Sequence, residues 1–320
     1  MLMTFAEVSE KIEGGKLLHV AANADLLRRL PKGKWIGGST EYFMSKEGGK
    51  VSDELLFVTE FPCERYAVAN YDENNVKTVA SDAFDSGFSV LIIPFDSIVH
   101  REYAEKAADF TDMFQKTVVG WISGMNLGKS GQTPIAVNGT SGEVFSDKAV
   151  GMHLEVPKGK TANVNIVNIF EEDKNLPVVK FTAEGFSAKK CFVGDEEVVL
   201  AEYLEKNGID TKLPLIGSYS GAGINVSFRN IENGIVYFYA PVFDSIEYRF
   251  AKKIPDYEEA FHSHIKALDV SNVAFSCNCV LNFLYGGLEG KKTETFEGPI
   301  TFGEIAYQLV NQTLVYVTVE

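Results

Sequence analysis

The stretch from Phe302-Gly303-Glu304-Ile305 through Asn311-Gln312-Thr313-Leu314 says the most about how this 320-residue chain folds. An apolar run, Val273-Ala-Phe-Ser-Cys277, and a glycine-rich bend precede it, and the β-rich residues 309–319 close the chain. Runs of β-branched and aromatic residues separated by polar turns also fill much of the earlier sequence. Because these runs do not alternate strictly with helices, they predict an α+β fold of mainly antiparallel sheets with flanking helices.

The composition makes several classes of function poor expectations. The chain is 45% hydrophobic, enough for a large core, and carries a net charge of -14, which repels phosphate backbones and anionic lipid. No apolar run reaches the roughly 18 residues of a membrane span, and no basic segment precedes an apolar run at the N-terminus. Four cysteines are sparse for this length, as in a reducing compartment. We therefore expect a cytoplasmic protein without nucleic-acid or membrane partners.

Apolar residues at helical spacing predict helices over residues 1–13, 24–30, 103–118, 197–207 and 257–268. One polar stretch, Gly124-Met-Asn-Leu-Gly-Lys-Ser130, nearly matches a phosphate-binding loop. However, three residues separate its first two glycines where that motif requires four, and β-type residues rather than a helix follow. We interpret residues 124–130 as an ordinary loop.

Two pairs of soft metal ligands occur close together, His262 with His264 and Cys277 with Cys279. A two-residue step on a helix turns by about 200° and would point the two imidazoles to opposite sides. We therefore predict no metal site and no cofactor. Cys277 is the best candidate nucleophile, with His153 or His262 as its base, but a buried cysteine is usually an inert hydrophobe. Without a catalytic residue to assign, a binding protein is favoured over an enzyme.

Glu304 is the most pointed single residue, because a carboxylate among aromatic and β-branched neighbours is costly to bury without partners. Gly303 leaves room beside it for a ligand or for another backbone. Asn311 and Thr313, two apart on a predicted strand, would present an amide and a hydroxyl on one face. The alternative is a structural network in which Glu304 accepts hydrogen bonds from neighbouring backbone N–H groups.

The order of these motifs resembles the FIST family of sensory domains. The family's C-terminal pattern is an apolar strand closed by Ser-Cys, here Ser276-Cys277, then Gly-Glu-Ile at 303–305 and Asn-x-Thr at 311–313. Its N-terminal half has a strand that ends in Gly-x-Ser-Thr, similar to Gly37-Gly38-Ser39-Thr40 here. The resemblance implies two closely packed halves, residues 1–200 and 201–320, that bind a small polar ligand such as an amino acid and signal through a separate partner protein.

The resemblance also implies a ligand site that includes Ser39, Thr40, Cys277, Gly303, Glu304, Asn311 and Thr313. The chain departs from the family where Ser276-Cys277-Asn278-Cys279-Val280 lacks the usual glycine and arginine. Arg229 is the candidate to replace that arginine as the clamp for a ligand carboxylate. Two alternatives stay open, an acyl-transfer or hydrolase-type enzyme that uses Cys277 and an interaction scaffold without a ligand.

Overall fold

A computed structural model describes residues 1–219, 222–268, 270–293 and 295–320, with the backbone alone at residue 222. These residues form five β-sheets and six α-helices, which confirms the predicted α+β class with mainly antiparallel sheets. The helices are α1 (Phe5–Glu13), α2 (Ala24–Arg29), α3 (Ile98–Lys106), α4 (Leu200–Lys206), α5 (Tyr257–Lys266) and α6 (Val280–Tyr285). Every helix within the described residues is too short or too polar to cross a bilayer.

The strands are short and follow one another along most of the chain. Up to residue 167 they are β1 (Leu2–Met3), β2 (Leu18–Ala22), β3 (Trp35–Ser39), β4 (Tyr42–Ser45), β5 (Gly48–Val51), β6 (Leu56–Glu60), β7 (Tyr66–Tyr71), β8 (Gly87–Pro94), β9 (Thr117–Ser123), β10 (Ala136–Asn138), β11 (Glu143–Phe145), β12 (Ala149–Glu155) and β13 (Ala162–Val167). The later strands are β14 (Val179–Lys180), β15 (Gly185–Ala188), β16 (Lys190–Val193), β17 (Glu196–Val199), β18 (Leu215–Tyr219), β19 (Ala222–Val226), β20 (Phe228–Glu232), β21 (Ile235–Val242), β22 (Glu247–Phe250), β23 (Val273–Cys279), β24 (Gly298–Thr301), β25 (Glu304–Ala306), β26 (Gln308–Val310) and β27 (Leu314–Val319).

Strands from distant parts of the chain combine in the first three sheets. Their orders are β1-β6-β2-β3-β10-β11, β26-β25-β9-β8-β12-β7 and β13-β27-β23-β24-β4-β5. The fourth sheet is β17-β16-β14-β22-β18-β19 and the fifth is β15-β21-β20. The pairs β2–β3, β8–β9 and β23–β24 are parallel, and the other named pairs are antiparallel. The closing residues of the chain thus complete the second and third sheets.

The core has several parts because the sheets are stacked. One apolar cluster joins the first three sheets and includes Trp121, Phe275 and Val315. A second cluster joins the second and third sheets to α3, α5 and α6. Helices α1 and α2 cover the first sheet, and α1 begins at a capping box in which Thr4 and Glu7 bond each other's backbone. Burying these faces supplies the main driving force for folding.

The fourth and fifth sheets form their own apolar cluster with α4. Its members run from Val179 to Phe250 along the chain, and Leu200 is buried within it. The predicted boundary between the halves, at residue 200, falls on the first residue of α4, inside this cluster.

The largest error in the predicted elements concerns the helix over residues 103–118. In the structure α3 begins at Ile98, a single 3₁₀ turn follows at Ala107–Asp109, and β9 begins at Thr117. Asp112 has a φ of +63°, which a helix does not permit, and the β-branched residues after it favour a strand. The predicted loop at 124–130 is confirmed, since it contains neither helix nor strand.

Candidate functional site

Glu304 is completely buried between polar neighbours. Its Oε1 lies 2.7 Å from the Thr301 hydroxyl. Its Oε2 accepts hydrogen bonds from the Thr313 hydroxyl at 2.8 Å and from the Thr313 backbone nitrogen at 3.3 Å. The structure therefore brings Glu304 and Thr313 into direct contact, across the turn that joins the second sheet to the third.

The surroundings of Glu304 favour its neutral form. Burial raises the pKa of Glu304 to about 8, against the opposing effect of the hydrogen bonds from Thr301 and Thr313. The Thr301 hydroxyl also lies 3.2 Å from the backbone oxygen of Asn278, which can only accept. Since a hydroxyl has one proton, a Thr301 that donates to Asn278 needs a protonated Glu304 as its own donor. At neutral pH Glu304 is therefore mainly a carboxylic acid.

Asn311 and Thr313 do not share a strand face, so this prediction is wrong. They flank Gln312 in the turn between β26 and β27, where Gln312 has a φ of +56°. Alternation of side chains requires extended backbone, and a left-handed residue interrupts it. Asn311 Oδ1 accepts a hydrogen bond from the Ser227 nitrogen at 2.9 Å, whereas Thr313 turns to Glu304.

The space beside Gly303 is filled by protein. A Cβ atom at this position would lie 3.1 Å from both Ile122 Cγ1 and Leu309 Cδ1. The Gly303 carbonyl accepts a hydrogen bond from the Ile122 nitrogen at 2.8 Å. Of the two readings of this glycine, close approach of a ligand or of another chain segment, the contacts show the second.

Ser39 and Thr40 use their hydroxyls inside the protein at the end of β3. The Ser39 hydroxyl donates to the Gly124 carbonyl at 2.8 Å and accepts from the Ile135 nitrogen at 2.9 Å. The Thr40 hydroxyl donates to the Ile300 carbonyl at 2.7 Å. Both residues line a cavity of about 10 Å³. This is space for about one water molecule, not for an amino acid.

Glu41, the next residue, was not among the predicted site residues. Its carboxylate accepts hydrogen bonds from the side-chain nitrogens of Asn23 and Asn126, both at 2.6 Å, and of Gln132 and Lys129, both at 2.9 Å. Burial works to raise the pKa of Glu41, but these four donors outweigh it and the pKa lies below its ordinary value. Glu41 therefore stays ionised and anchors the loop at residues 124–132. A glutamate directly after a buried Gly-Ser-Thr turn was the available signal.

Cys277 lies in β23 with 2% of its surface exposed. Burial raises its pKa well above the ordinary value, and the charge of Glu304 adds to this effect. His153, one predicted base, instead contacts the hydroxyls of Ser89 at 2.7 Å and Tyr71 at 2.8 Å. Within the described residues, no hydrogen bond joins Cys277 to His153 or His262. Cys277 is thus a buried thiol without a base, unlike an activated nucleophile.

The two histidines considered as metal ligands, His262 and His264, both lie in α5, as predicted. Their spacing of two residues sends the imidazoles to different sides of that helix. No group of three or more His, Cys, Asp or Glu side chains placed to hold a metal ion occurs in the part of the chain that the structure describes.

Arg229 lies apart from the other predicted residues and lines a much larger cavity, which we call the Arg229 cavity. The end of β8 and the start of α3 form one wall, and β15, β20 and β21 of the fifth sheet form the other. Its volume is about 320 Å³, within the range of about 300–1,000 Å³ typical of small-molecule sites. The side chains that matter below are Phe95, Asp96, His100, Arg101, Glu105, Phe186 and Arg229.

The guanidinium of Arg229 stacks over the Phe95 ring, 5.0 Å from the ring centre. No carboxylate of the described residues forms an ion pair with it. Arg101 pairs with Asp96 at 2.9 Å, and both side chains are more than half exposed. Burial raises the pKa of the fourth charged residue, Glu105. The cavity wall therefore carries two cationic and two acidic side chains, and only Arg229 lies on the fifth sheet.

His100 is the most buried polar residue of this cavity, with 2% of its surface exposed. Its Nδ1 accepts a hydrogen bond from the Asp96 backbone nitrogen at 3.2 Å, and its Nε2 has no partner among the described residues. Asp96 has a φ of +60°, a strained backbone conformation of the kind that collects at functional sites. The rings of Phe95 and Phe186 lie 5.6 and 5.5 Å from the imidazole, centre to centre.

A still larger cavity, of about 490 Å³, lies elsewhere and is mainly apolar. Its walls include Phe61, Phe88, Leu154 and Val273. None of the predicted site residues lines it, and neither does any buried polar atom that lacks a hydrogen-bond partner. It therefore offers little to orient a polar ligand.

The chain belongs to DUF6976, a family of unknown function, whose model matches residues 3–320. No curated protein matches the sequence. These comparisons do not connect the chain to the FIST family, and that resemblance stays a prediction.

Proposed function

We propose that this DUF6976 protein is a small-molecule sensor that binds a polar metabolite of the amino-acid type in the Arg229 cavity. One observation carries the proposal. Arg229 has no ion-pair partner in the described residues, yet it lines a cavity of small-molecule size beside a second arginine and a buried imidazole with an unused nitrogen. The other predicted site residues do not line this cavity.

The chemistry of the cavity suits a ligand that carries both signs of charge. A guanidinium can hold a carboxylate through two parallel hydrogen bonds, and stacking on Phe95 restricts the plane of Arg229. The acidic groups of Asp96 and Glu105 offer partners for a ligand ammonium. Two cations and two carboxylates leave the wall without net charge, so a zwitterion complements it better than a plain anion or cation.

The position of the cavity suits a sensor. Its walls belong to two different apolar clusters, that of α3 and that of the fifth sheet. A ligand that contacts Arg229 on one wall and Arg101 on the other would favour arrangements in which the two walls are close. We propose that a separate protein reads this change, since ligand sites between structural units commonly couple binding to their relative position.

The enzymatic alternative has less support. Cys277 is buried, its pKa is raised, and it lines none of the cavities described above. No observation therefore favours a reaction at this residue over its role in the core.

A thermal-shift screen of the purified protein against the standard L-amino acids and related metabolites tests the proposal. A ligand at one hundred times its dissociation constant adds about 2.7 kcal/mol of stability, which raises the unfolding temperature by several degrees. Arg229→Gln should remove the shift or reduce affinity about 10- to 100-fold, because a hydrogen-bonded charge pair is lost.

Arg28→Gln is the matched control for that variant. It removes the same charge from an exposed position on α2, far from the cavity in the chain, and should leave the shift unchanged. A hit whose affinity is the same in Arg229→Gln would contradict the proposed site. Silence across the whole panel would contradict ligand sensing and favour the scaffold alternative.

A further inference from the structure

We propose that His100 is the specificity-determining residue of the Arg229 cavity and that it selects a ligand carboxylate by donating its Nε2–H to one carboxylate oxygen. The inference rests on the proposed function, because it assigns one contact within that site. Its support is the hydrogen-bond chemistry of the imidazole.

The first step is the position of the proton on the ring. A backbone nitrogen is always a donor, so His100 Nδ1, 3.2 Å from the Asp96 nitrogen, must present its lone pair. A charged imidazole would carry a proton on Nδ1 and oppose this contact. Burial lowers the pKa of His100 to about 4, with Arg101 and Arg229 acting in the same direction and Asp96 against it. His100 is therefore neutral near pH 7 and carries its proton on Nε2.

The second step is that this proton has no acceptor. His100 is 98% buried, yet no atom of the described residues accepts a hydrogen bond from Nε2. Buried donors are nearly always paired, and an unpaired one at a cavity wall points to a missing acceptor. The ring is also held in place, because Phe95 and Phe186 pack against it while Asp96 fixes Nδ1.

The third step concerns the group that would satisfy both walls of the cavity. Arg229 and His100 Nε2 are both donors without a partner in the described residues. A carboxylate offers an acceptor oxygen to each of them. A carboxamide offers one oxygen and one NH₂ group, so one of the two donors would face another donor. The pair should therefore discriminate against the amide of the same ligand.

The test is isothermal titration of the wild-type protein with each standard L-amino acid and with its α-carboxamide. We expect the best-binding amino acid to bind at least about tenfold more tightly than its amide. In His100→Asn the side-chain oxygen can still accept from Asp96, but the Nε2 donor is gone, so the preference for the acid should fall several-fold. His100→Gln places an amide donor near the position of Nε2 and should retain more of that preference.

The outcomes separate this inference from the proposed function. An unchanged preference in His100→Asn, with binding that still depends on Arg229, would overturn the role of His100 and leave the sensor proposal standing. Failure of the wild type to bind any probe would overturn both. If the variants do not fold, nitrogen-15 NMR of the wild-type histidines replaces them. We expect His100 to carry its proton on Nε2 and its signal to move with the acid but not with the amide, and a proton on Nδ1 would overturn the inference.

Discussion

Two glutamates, Glu41 and Glu304, are almost equally hidden from water, with 2% and 0% of their surfaces exposed, but they hold different proton states. Four side-chain nitrogens, including the Lys129 ammonium, donate to Glu41, and its pKa is lowered. Glu304 meets only threonine hydroxyls and one backbone nitrogen, and burial raises its pKa to about 8. Depth alone therefore does not decide the charge of a buried carboxyl, because the number and type of its donors can reverse the effect of burial.

Both glutamates are nevertheless alike in having their hydrogen bonds made within the protein. The predicted ligand residues Ser39, Thr40 and Thr313 are likewise occupied by protein partners. In the Arg229 cavity, by contrast, a guanidinium and an imidazole N–H lack partners in the described residues. Polar groups that satisfy one another stabilise the fold, whereas unsatisfied groups beside a cavity can gain hydrogen bonds from a ligand.

The largest effect is expected from removing the Glu304 side chain. Glu304→Ala leaves the Thr313 N–H without its acceptor and opens a cavity, so it should lower the free energy of unfolding by about 2–4 kcal/mol. Glu304→Gln can copy the neutral acid, with its NH₂ toward Thr301, and should cost less than about 1 kcal/mol. Urea unfolding of both variants measures the difference. A variant Glu304→Ala that kept its stability but lost ligand affinity would instead place Glu304 in the binding site.

The next effect is the pH dependence that Glu304 contributes. Its folded pKa of about 8 lies above the ordinary value of 4.5, so its contribution to stability is complete below pH 4.5 and is lost as the pH rises through 8. Between pH 6 and pH 8 the loss should be on the order of 2 kcal/mol. Because carboxylates with lowered pKa, such as Glu41, titrate at lower pH, the difference between wild type and Glu304→Gln isolates this contribution. Parallel stability curves for the two proteins across this range would show that Glu304 is ionised.

The smallest effect directly compares the two glutamates by the same substitution. Glu41→Gln places an NH₂ group against donors on both oxygens of the original carboxylate, so it should cost about 1–2 kcal/mol more than Glu304→Gln. Chemical unfolding at neutral pH checks the order of the two variants. Equal costs would mean that the two glutamates share one proton state.

The fold class could be predicted because β-branched runs and polar turns are local features of the sequence. The end of α3 could not, since apolar spacing over residues 103–118 looks helical until Asp112 turns the chain. The contact of Glu304 with Thr313 is also nearly local, whereas the opposite orientation of Asn311 depends on the left-handed Gln312.

The cavity itself was beyond the reach of sequence patterns. Arg229 was singled out, but its neighbours Phe95 and His100 come from a distant part of the chain and meet it only through the packing of β8 and α3 against the fifth sheet. The one local signal was Asp96-Ser97, a helix start directly after a buried strand. The partners of Glu41 are spread from Asn23 to Gln132 and were equally hidden.

The most direct test of ligand sensing is a crystal structure of the protein with the amino acid that gives the largest thermal shift. We expect electron density for the ligand in the Arg229 cavity, with its carboxylate between Arg229 and His100 Nε2 and its ammonium toward Asp96 or Glu105. Density in the apolar cavity beside Phe88, or an Arg229 cavity that stays empty under saturating ligand, would contradict the assignment of this site.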